Sequence, residues 1–239
     1  MYTFVLVHGA WHDGSAWGEV IKLIESKGHK AFAPTVAGHG KGADKNVTHA
    51  KCSKSIVDYI VNKSLTDIIL LGHSFGGTII SKVAEAIPER IRRLVFLGGF
   101  VLNDGESLLD NLSPQRRKIL LKMNAASEDN TTMLPFNVWR EQFINDADLK
   151  LAKLSYEHLS PEPFKPIVEK LDMKKFYSLA IPKSYINCTE DMPQGEWGRH
   201  PRMSNRLGIY RLVQMPGSHE VLLTNPKGLA DKIIEAGRD

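Results

Sequence analysis

Cysteine is scarce in this sequence, and neither sign of charge dominates it. The two cysteines among its 239 residues, Cys52 and Cys188, are too few for a disulfide framework and lack the spacing of a zinc site. The 31 Lys and Arg exceed the 27 Asp and Glu by a formal charge of only +4, and the excess is not gathered into a tail. These features exclude a disulfide-rich scaffold and give little support for nucleic-acid binding.

Long apolar runs are also missing, since no run approaches the roughly 20 residues that cross a bilayer. Residues 2–7 form the first apolar run, and no basic segment of the kind that opens a secretory signal precedes it. Together with the few cysteines, this predicts a cytoplasmic protein. We expect neither a membrane nor a nucleic acid as a partner.

Short apolar runs alternate with segments of helical periodicity along most of the chain. The apolar runs predict six strands, at residues 2–7, 30–33, 67–71, 91–97, 183–187 and 209–214. The periodic segments predict helices at residues 17–26, 54–63, 78–86, 197–207 and 226–236. This alternation is typical of an α/β fold, with a mainly parallel six-stranded sheet and helices on both faces.

The interval between the fourth and fifth predicted strands is much longer than an ordinary connection in such a fold. It holds no convincing strand, but it contains apolar residues at helical spacing and a stiff proline-rich segment at residues 161–166. We interpret residues 103–178 as a mostly helical cap, with a core helix at its end, inserted into a single domain of residues 1–239.

The segment Gly72-His73-Ser74-Phe75-Gly76 fits the pattern Gly-x-Ser-x-Gly. It directly follows a predicted buried strand and opens a predicted helix, which is the arrangement of a nucleophile elbow. The two glycines allow strand and helix to approach closely, and the strained turn lifts the serine hydroxyl clear of the sheet. We therefore predict that Ser74 is a nucleophile.

A serine hydroxyl becomes a good nucleophile only beside a base that an acid orients. His219 follows the last predicted strand and completes the chain order Ser, acid, His that this arrangement uses. Asp191 follows the fifth predicted strand and is the expected acid. Glu190, beside it, and Asp104, after the fourth strand, stay open as alternative acids.

The other eight of the nine histidines have simpler interpretations. Four are expected at the surface or on helix flanks: His29, His49, His158 and His200. Four stand beside the serine or in loops at strand ends, where they would line or support the site: His8, His12, His39 and His73. No cluster has the spacing of a metal site and no dinucleotide-binding pattern is present, so we expect neither a metal nor a cofactor.

Acyl transfer also needs amide donors for the developing oxyanion, typically the amide after the nucleophile and one from the loop after the first strand. Here these are the backbone N–H groups of Phe75 and Ala10. Aromatic residues of the core and cap could wall an apolar substrate pocket. The expected substrate contacts are Trp11, Phe100, Trp139 and Phe143. Further cap candidates are Phe136, Tyr156 and Phe164.

On these residues the chain resembles the α/β-hydrolase superfamily, and within it the branch of plant methyl esterases, polyneuridine aldehyde esterase, hydroxynitrile lyases and similar bacterial esterases. The resemblance rests on the segments FVLVHGAW, LLGHSFGG, YINCTED and MPGSHEVLLTNP. It covers nearly the whole chain and is weakest across the cap. It implies Ser74 as nucleophile, Asp191 as acid, His219 as base, and Ala10 and Phe75 as oxyanion donors.

The hydroxynitrile lyases of this branch differ from this chain at three positions near the site. They carry a threonine in the first loop, a glutamate before the nucleophile and a lysine after the catalytic histidine, where this chain has Gly9, His73 and Glu220. A cation after the histidine stabilises departing cyanide, whereas Glu220 would repel it. The sequence therefore favours an esterase over a lyase.

The principal expectation is a cofactor-independent serine carboxylesterase that acts on a small or medium, largely apolar carboxylic ester, with methyl esters among the candidates. Two alternatives stay open. One is a lyase or carbon–carbon hydrolase that uses the same triad, and the other is a ligand receptor that keeps the pocket without turnover. The sequence does not indicate the number of subunits.

Overall fold

The computed structural model describes residues 1–193 and 200–239. Its strands are β1 (Thr3–Val7), β2 (Lys30–Phe32), β3 (Ile68–His73), β4 (Ile91–Leu97), β5 (Thr131–Thr132), β6 (Glu162–Pro163), β7 (Lys183–Cys188) and β8 (Arg211–Met215). Its α-helices are α1 (Gly18–Ser26), α2 (His49–Asn62), α3 (Gly76–Ala86), α4 (Pro114–Ala125), α5 (Phe136–Val138), α6 (Leu149–His158), α7 (Lys165–Val168), α8 (Lys174–Ser178), α9 (Val221–Thr224) and α10 (Pro226–Gly237).

Six strands form one parallel sheet in the order β2-β1-β3-β4-β7-β8. The chain leaves β1 for β2 on one side and returns to β3 on the other, so the strand order reverses between β1 and β3. Loops after the strands on either side of such a reversal separate and leave a crevice that binds ligands. The predicted six-stranded arrangement is therefore confirmed, and the segment that follows β3 opens into this crevice.

Each face of the sheet buries its own set of apolar side chains, because alternate residues of a strand point to opposite faces. On one face, Val5 and Leu70 pack against helices α2 and α3. On the other face, Leu6 and Ile69 pack against α1 and α10. Helices cover both faces of the sheet, as predicted. Because both faces are covered, the candidate functional residues lie in the loops at the strand ends.

Two predicted helices have different bounds in the structure. Helix α2 begins at His49, five residues before the predicted start at 54, because the Thr48 side chain accepts a hydrogen bond from the Lys51 amide and caps the helix. The helix predicted at 197–207 is wrong for residues 200–203, and only the 3₁₀ turn Ser204–Leu207 forms. Pro201 lacks an N–H group and suits only a first turn. Residues 197–199 of that prediction lie outside the described residues.

Residues 103–178, called the cap below, lie between β4 and β7 and are mostly helical, as predicted. The cap has a small apolar cluster of its own around Trp139 and Ile144. Its last helix, α8, inserts Phe176 into the core of the sheet. The unpredicted element is the antiparallel ladder β5–β6, whose strands of two residues each are too short to produce a periodic pattern.

No described helix combines the length and the apolar character that a bilayer crossing requires.

Candidate active site

Ser74 stands between β3 and α3 with a backbone φ of 51°, in the left-handed region that serine rarely adopts. The flanking glycines make this turn possible. A Cβ atom on Gly72 would lie 2.4 Å from the carbonyl oxygen of Gly76, and one on Gly76 would lie 2.7 Å from the carbonyl oxygens of Val7 and His8. Because both contacts are with backbone, no side-chain movement would relieve them. The local sequence therefore holds Ser74 in its strained conformation.

His219 and Asp191 meet at the carboxyl end of the sheet. His219 follows β8 and Asp191 follows β7, and His219 Nδ1 lies 2.9 Å from Asp191 Oδ2. Only 2% of the His219 side chain and 9% of the Asp191 side chain are exposed. A hydrogen bond from Nδ1 to a carboxylate fixes the imidazole tautomer and leaves Nε2 as the nitrogen that can take up a proton.

The two alternative acids lie elsewhere. Both side chains are exposed, and the Asp104 carboxylate accepts a hydrogen bond from the Met173 amide at 2.9 Å. Glu190 donates its amide to the Gly217 carbonyl oxygen at 3.1 Å. Among the described residues, Asp191 is thus the candidate acid that contacts His219.

The Ser74 and His219 loops touch through His73. His73 Nε2 donates to the carbonyl oxygen of His219 at 3.0 Å, and the two imidazole rings lie 4.6 Å apart between centroids. Ser74 lines a cavity, and within the described part of the chain its hydroxyl has no hydrogen-bond partner. Hydrogen bonds between catalytic groups are often long before substrate binds. The structure thus packs the serine and histidine loops together, with the hydroxyl open to the cavity.

Ala10 and Phe75 carry the two backbone amides that the sequence predicts as oxyanion donors. Ala10 and Phe75 line the same cavity as Ser74. Neither amide donates a hydrogen bond within residues 1–193 and 200–239. The Phe75 amide also stands at the N-terminus of α3, where the helix dipole favours negative charge. Both predicted donors therefore lie at the cavity with N–H groups available.

The cavity has a volume of about 470 Å³ and lies between the strand ends and the cap. Three of the four predicted substrate contacts line it: Trp11, Phe100 and Phe143. Sequence reasoning missed a wall of aliphatic residues before and on α4: Leu108, Leu112, Ile119 and Leu120. Exposure of Ile119 on the helix surface is the structural sign of this wall, and the sequence carries no equivalent signal.

Trp139 does not belong to the described cavity lining, in contrast to the prediction. It is fully buried and stacks on Phe143 with 5.9 Å between ring centroids. Its indole Nε1 donates to Ser155 Oγ at 3.1 Å, which satisfies a polar group that would otherwise be buried alone. Trp139 therefore supports a lining residue from behind. Three further cap aromatics also lie off the lining: Phe136, Tyr156 and Phe164.

The cavity wall also contains polar groups. The Arg116 guanidinium hydrogen-bonds Gln142 and lies 5.4 Å from the centre of the Phe143 ring. Glu162, from β6 of the cap, lines the cavity although only 1% of it is exposed. The sequence analysis predicted neither Arg116 nor Glu162 at the cavity. Glu162 stands between two prolines, which is the sequence signature of a loop.

His8 supports the loop after β1 in its neutral form. Its Nδ1 donates to the Gly9 carbonyl oxygen at 2.8 Å, and its Nε2 accepts the Val36 amide at 3.0 Å. Burial, followed by the nearby charge of His39, lowers the pKa of His8 well below its ordinary value. A neutral ring can fill both roles at once, so His8 holds the loop that carries Ala10.

Glu220 does not line the cavity, and its carboxylate is paired with His12 Nε2 at 3.0 Å. Burial alone would raise the pKa of Glu220, but the charge and hydrogen bond of His12 and the charges of His73 and His219 lower it to about 2. Ligand atoms of His73, His219 and Glu220 lie within 4.8 Å of one another. Each group already has a hydrogen-bond partner, so the cluster is a hydrogen-bonded support for the histidine loop.

The prediction for His49 needs a correction, because this residue is buried. It was expected at the surface or on a helix flank, and it is the first residue of α2, but only 2% of it is exposed. Its Nε2 lies 2.9 Å from Thr78 Oγ1. Burial, followed by the charge of Lys82, lowers the pKa of His49 to about 3.

Comparison with known proteins places the chain among hydrolases. An extracellular α/β-hydrolase from a Paenibacillus species, described as sharing structural and functional homology with tobacco salicylic acid binding protein 2, is 45% identical over 100% of both chains with a TM-score of 0.97. The carbendazim hydrolyzing esterase of Nocardioides sp. is 40% identical over 46% of each chain. The putative methylesterase 11 of Arabidopsis thaliana is 28% identical over 98% of this chain.

The chain spans only part of these two curated relatives, 46% of the first and 64% of the second. The Paenibacillus protein is called extracellular, and the cytoplasmic location stays a prediction for this chain. The model of the alpha/beta hydrolase family matches residues 4–232. The resemblance seen in the sequence is therefore confirmed, and the chain belongs to the α/β-hydrolase family.

Proposed function

We propose that the protein is a serine carboxylesterase, with Ser74 as nucleophile, His219 as base and Asp191 as the acid that orients the base. One observation carries the proposal: a serine in a strained strand-to-helix turn opens onto a cavity beside a buried His–Asp pair. The esterase names of two relatives support the same reaction class.

In the acylation step, Ser74 Oγ attacks the carbonyl carbon of the ester while His219 Nε2 takes the hydroxyl proton. The carbonyl electron pair moves onto oxygen, and the amides of Ala10 and Phe75 stabilise that oxyanion. When the carbonyl reforms, the bond to the alkoxide breaks and His219 returns the proton to the departing alcohol. Asp191 stabilises the imidazolium between these two transfers.

Deacylation repeats the sequence with water. His219 Nε2 takes a proton from water, the hydroxide attacks the acyl carbon, and the same two amides hold the second oxyanion. Collapse breaks the acyl bond to Ser74 Oγ, which recovers its proton from His219. The products are an alcohol and a carboxylic acid, and the reaction needs no group beyond these residues and water.

The cavity favours a small or medium acyl group that is largely apolar. A volume of about 470 Å³ falls within the range of ordinary small-molecule sites, and aliphatic and aromatic side chains form most of its wall. The name of the methylesterase relative points to methyl esters as the first substrates to examine.

Turnover of p-nitrophenyl acetate and butyrate tests the proposal. We expect the native chain to hydrolyse both and Ser74→Ala to lose roughly 10⁴-fold to 10⁶-fold in kcat, as loss of an activated serine does elsewhere. Ser26→Ala, an exposed serine at the end of α1, is the matched control and keeps full activity. A loss below about a hundredfold in Ser74→Ala would contradict the assignment.

Labelling and substrate assays with the same protein distinguish the esterase from the two alternatives, a receptor and a lyase or carbon–carbon hydrolase. Intact-mass spectrometry after treatment with a sulfonyl fluoride is expected to show one label, placed by peptide mapping on Ser74. A chain that binds esters without turning them over would be a receptor. Cleavage of cyanohydrins or β-diketones in place of esters would identify a lyase or carbon–carbon hydrolase.

A further inference from the structure

Trp11, which follows the candidate oxyanion donor Ala10, is held entirely by the cap. Its backbone N–H donates to Glu162 Oε2 at 2.8 Å, and its carbonyl oxygen accepts the Ser160 amide at 2.9 Å. Its indole Nε1 donates to the Thr132 carbonyl oxygen at 3.0 Å. Each polar group of Trp11 is therefore hydrogen-bonded to the β5–β6 region, which lies more than a hundred positions later in the chain.

The conformation of Trp11 explains why such a hold is needed. Its φ is 64°, in the left-handed region, which is a genuine outlier for a bulky residue. Such a conformation is unfavourable and persists only where the surroundings fix it. If the contacts with the cap are lost, the backbone at Trp11 relaxes, and the amide of Ala10 directly before it moves as well.

Glu162 is the charged member of this clamp. It is 1% exposed, and its carboxylate accepts the Trp11 amide and lies 3.0 Å from His39 Nε2. His39 Nδ1 in turn lies 3.1 Å from the carbonyl oxygen of Ala37. A hydrogen bond from an amide to a carboxylate is stronger than one to a neutral acceptor. The buried carboxylate is thus itself fixed by His39 while it fixes Trp11.

We propose that Glu162 is a positioning residue for the oxyanion donor: it holds the backbone at Trp11 so that the Ala10 N–H points at the developing negative charge. This inference rests on the proposed esterase function. It gives the cap a role in the chemical step, in addition to its role as the wall of the substrate cavity.

The proposal predicts a specific kinetic signature. An oxyanion donor acts on the transition state and contributes little to binding of the neutral ester, so its displacement lowers kcat and leaves KM almost unchanged. Loss of one such donor costs about 10² to 10³ in kcat. Because the Ala10 amide is displaced and not removed, we expect Glu162→Ala to lose roughly 10-fold to 100-fold in kcat, with KM within about threefold.

Glu162→Gln is the conservative variant. A glutamine keeps the shape of the side chain and an acceptor oxygen for the Trp11 amide, but it lacks the negative charge that strengthens this hydrogen bond. We expect its kcat to lie between those of the native chain and Glu162→Ala, roughly threefold to tenfold below native. If Glu162→Ala fails to fold, Glu162→Gln alone decides, and an unchanged kcat would overturn the proposal.

Glu169→Ala is the matched control within the cap. The Glu169 carboxylate also accepts an amide of the core domain, that of His49 at 2.6 Å, but it holds the start of α2 and not the oxyanion loop. A purely structural role for cap glutamates predicts similar losses in both alanine variants. The positioning role predicts that Glu169→Ala stays within about threefold of native kcat.

The experiment measures kcat and KM for p-nitrophenyl butyrate, and the inhibition constant of butane-1-boronic acid, in the native chain and the three variants. Boronic acids form tetrahedral adducts with serine, so their affinity should fall in step with kcat in the Glu162 variants. Native-like kcat in Glu162→Ala, or equal losses in Glu169→Ala, would refute the inference. An inactive native chain would refute the proposed function instead.

Discussion

The two sides of the candidate site are fixed by different means. The elbow side is local: Gly72 and Gly76 bring β3 and α3 into backbone contact, and Ser74 lies in the tight turn between them with a φ of 51°. The opposite side depends on the cap, through bonds such as that between Trp11 and Glu162, 151 positions apart. Local sterics thus place the nucleophile, whereas long-range hydrogen bonds hold the loops around it.

The histidine loop also receives a bond from the cap, but a more exposed one. Asp146 Oδ2 accepts the Ser218 amide at 3.0 Å and the Thr224 hydroxyl at 2.9 Å, and Ser218 directly precedes His219. Asp146 is exposed, whereas Glu162 is buried. Because water can replace an exposed acceptor, this second contact should matter less than the first.

The core side of the site consists of the sheet and the loops at its strand ends, and the cap forms the other side. The largest effect in this comparison is expected on the core side, at Asp191, which follows β7. Asp191→Asn keeps the shape of the acid but favours the wrong imidazole tautomer, and an equivalent change in a serine protease cost about 10⁴ in kcat. We expect a loss of roughly 10² to 10⁴ in kcat for p-nitrophenyl butyrate, with an unchanged thermal midpoint.

Glu190→Gln is the control for that variant, since Glu190 adjoins Asp191 and is exposed. It should retain kcat within about twofold of native. If the two variants lose activity equally, or if Asp191→Asn loses less than about tenfold, Asp191 is not the acid that orients His219.

A smaller effect is expected from the cap side, at Asp146. Removing the bond to the Ser218 amide loosens the loop that carries His219, and we expect Asp146→Ala to lower kcat by roughly threefold to tenfold. Steady-state kinetics with the same ester measures this. Asp148→Ala, which removes only the N-cap of α6, should lower stability by about 1 kcal/mol without changing kcat. A kcat loss of the same size in both variants would mean that the contact of Asp146 has no particular role.

The core side of this comparison was largely predictable from the sequence. Buried parallel strands produce continuous apolar runs, and the two glycines around Ser74 mark a close approach that few other sequences require. The order of Ser74, Asp191 and His219 along the chain follows from the topology of the sheet. The choice between Asp191 and Glu190 does not follow from the topology. The side chains of adjacent loop residues point in different directions, and no sequence pattern shows which of them faces His219.

The cap side was mostly not predictable. Trp139 was expected in the cavity because it is a large aromatic residue of the cap, yet the partner for its indole N–H, Ser155, turns it away. Glu162 gave no signal, since its role depends on Trp11 and His39, which are remote in the sequence. Patterns of neighbouring residues predict elements, but the contacts between distant loops determine which side chains reach the site.

The most direct test of the account is a crystal structure of the protein inactivated by a p-nitrophenyl alkylphosphonate, whose adduct imitates the tetrahedral intermediate. We predict phosphorus bonded to Ser74 Oγ, the phosphoryl oxygen about 2.7–3.1 Å from the amide nitrogens of Ala10 and Phe75, and His219 Nε2 within hydrogen-bonding distance of the adduct. An adduct on another residue, or a phosphoryl oxygen directed away from both amides, would contradict it.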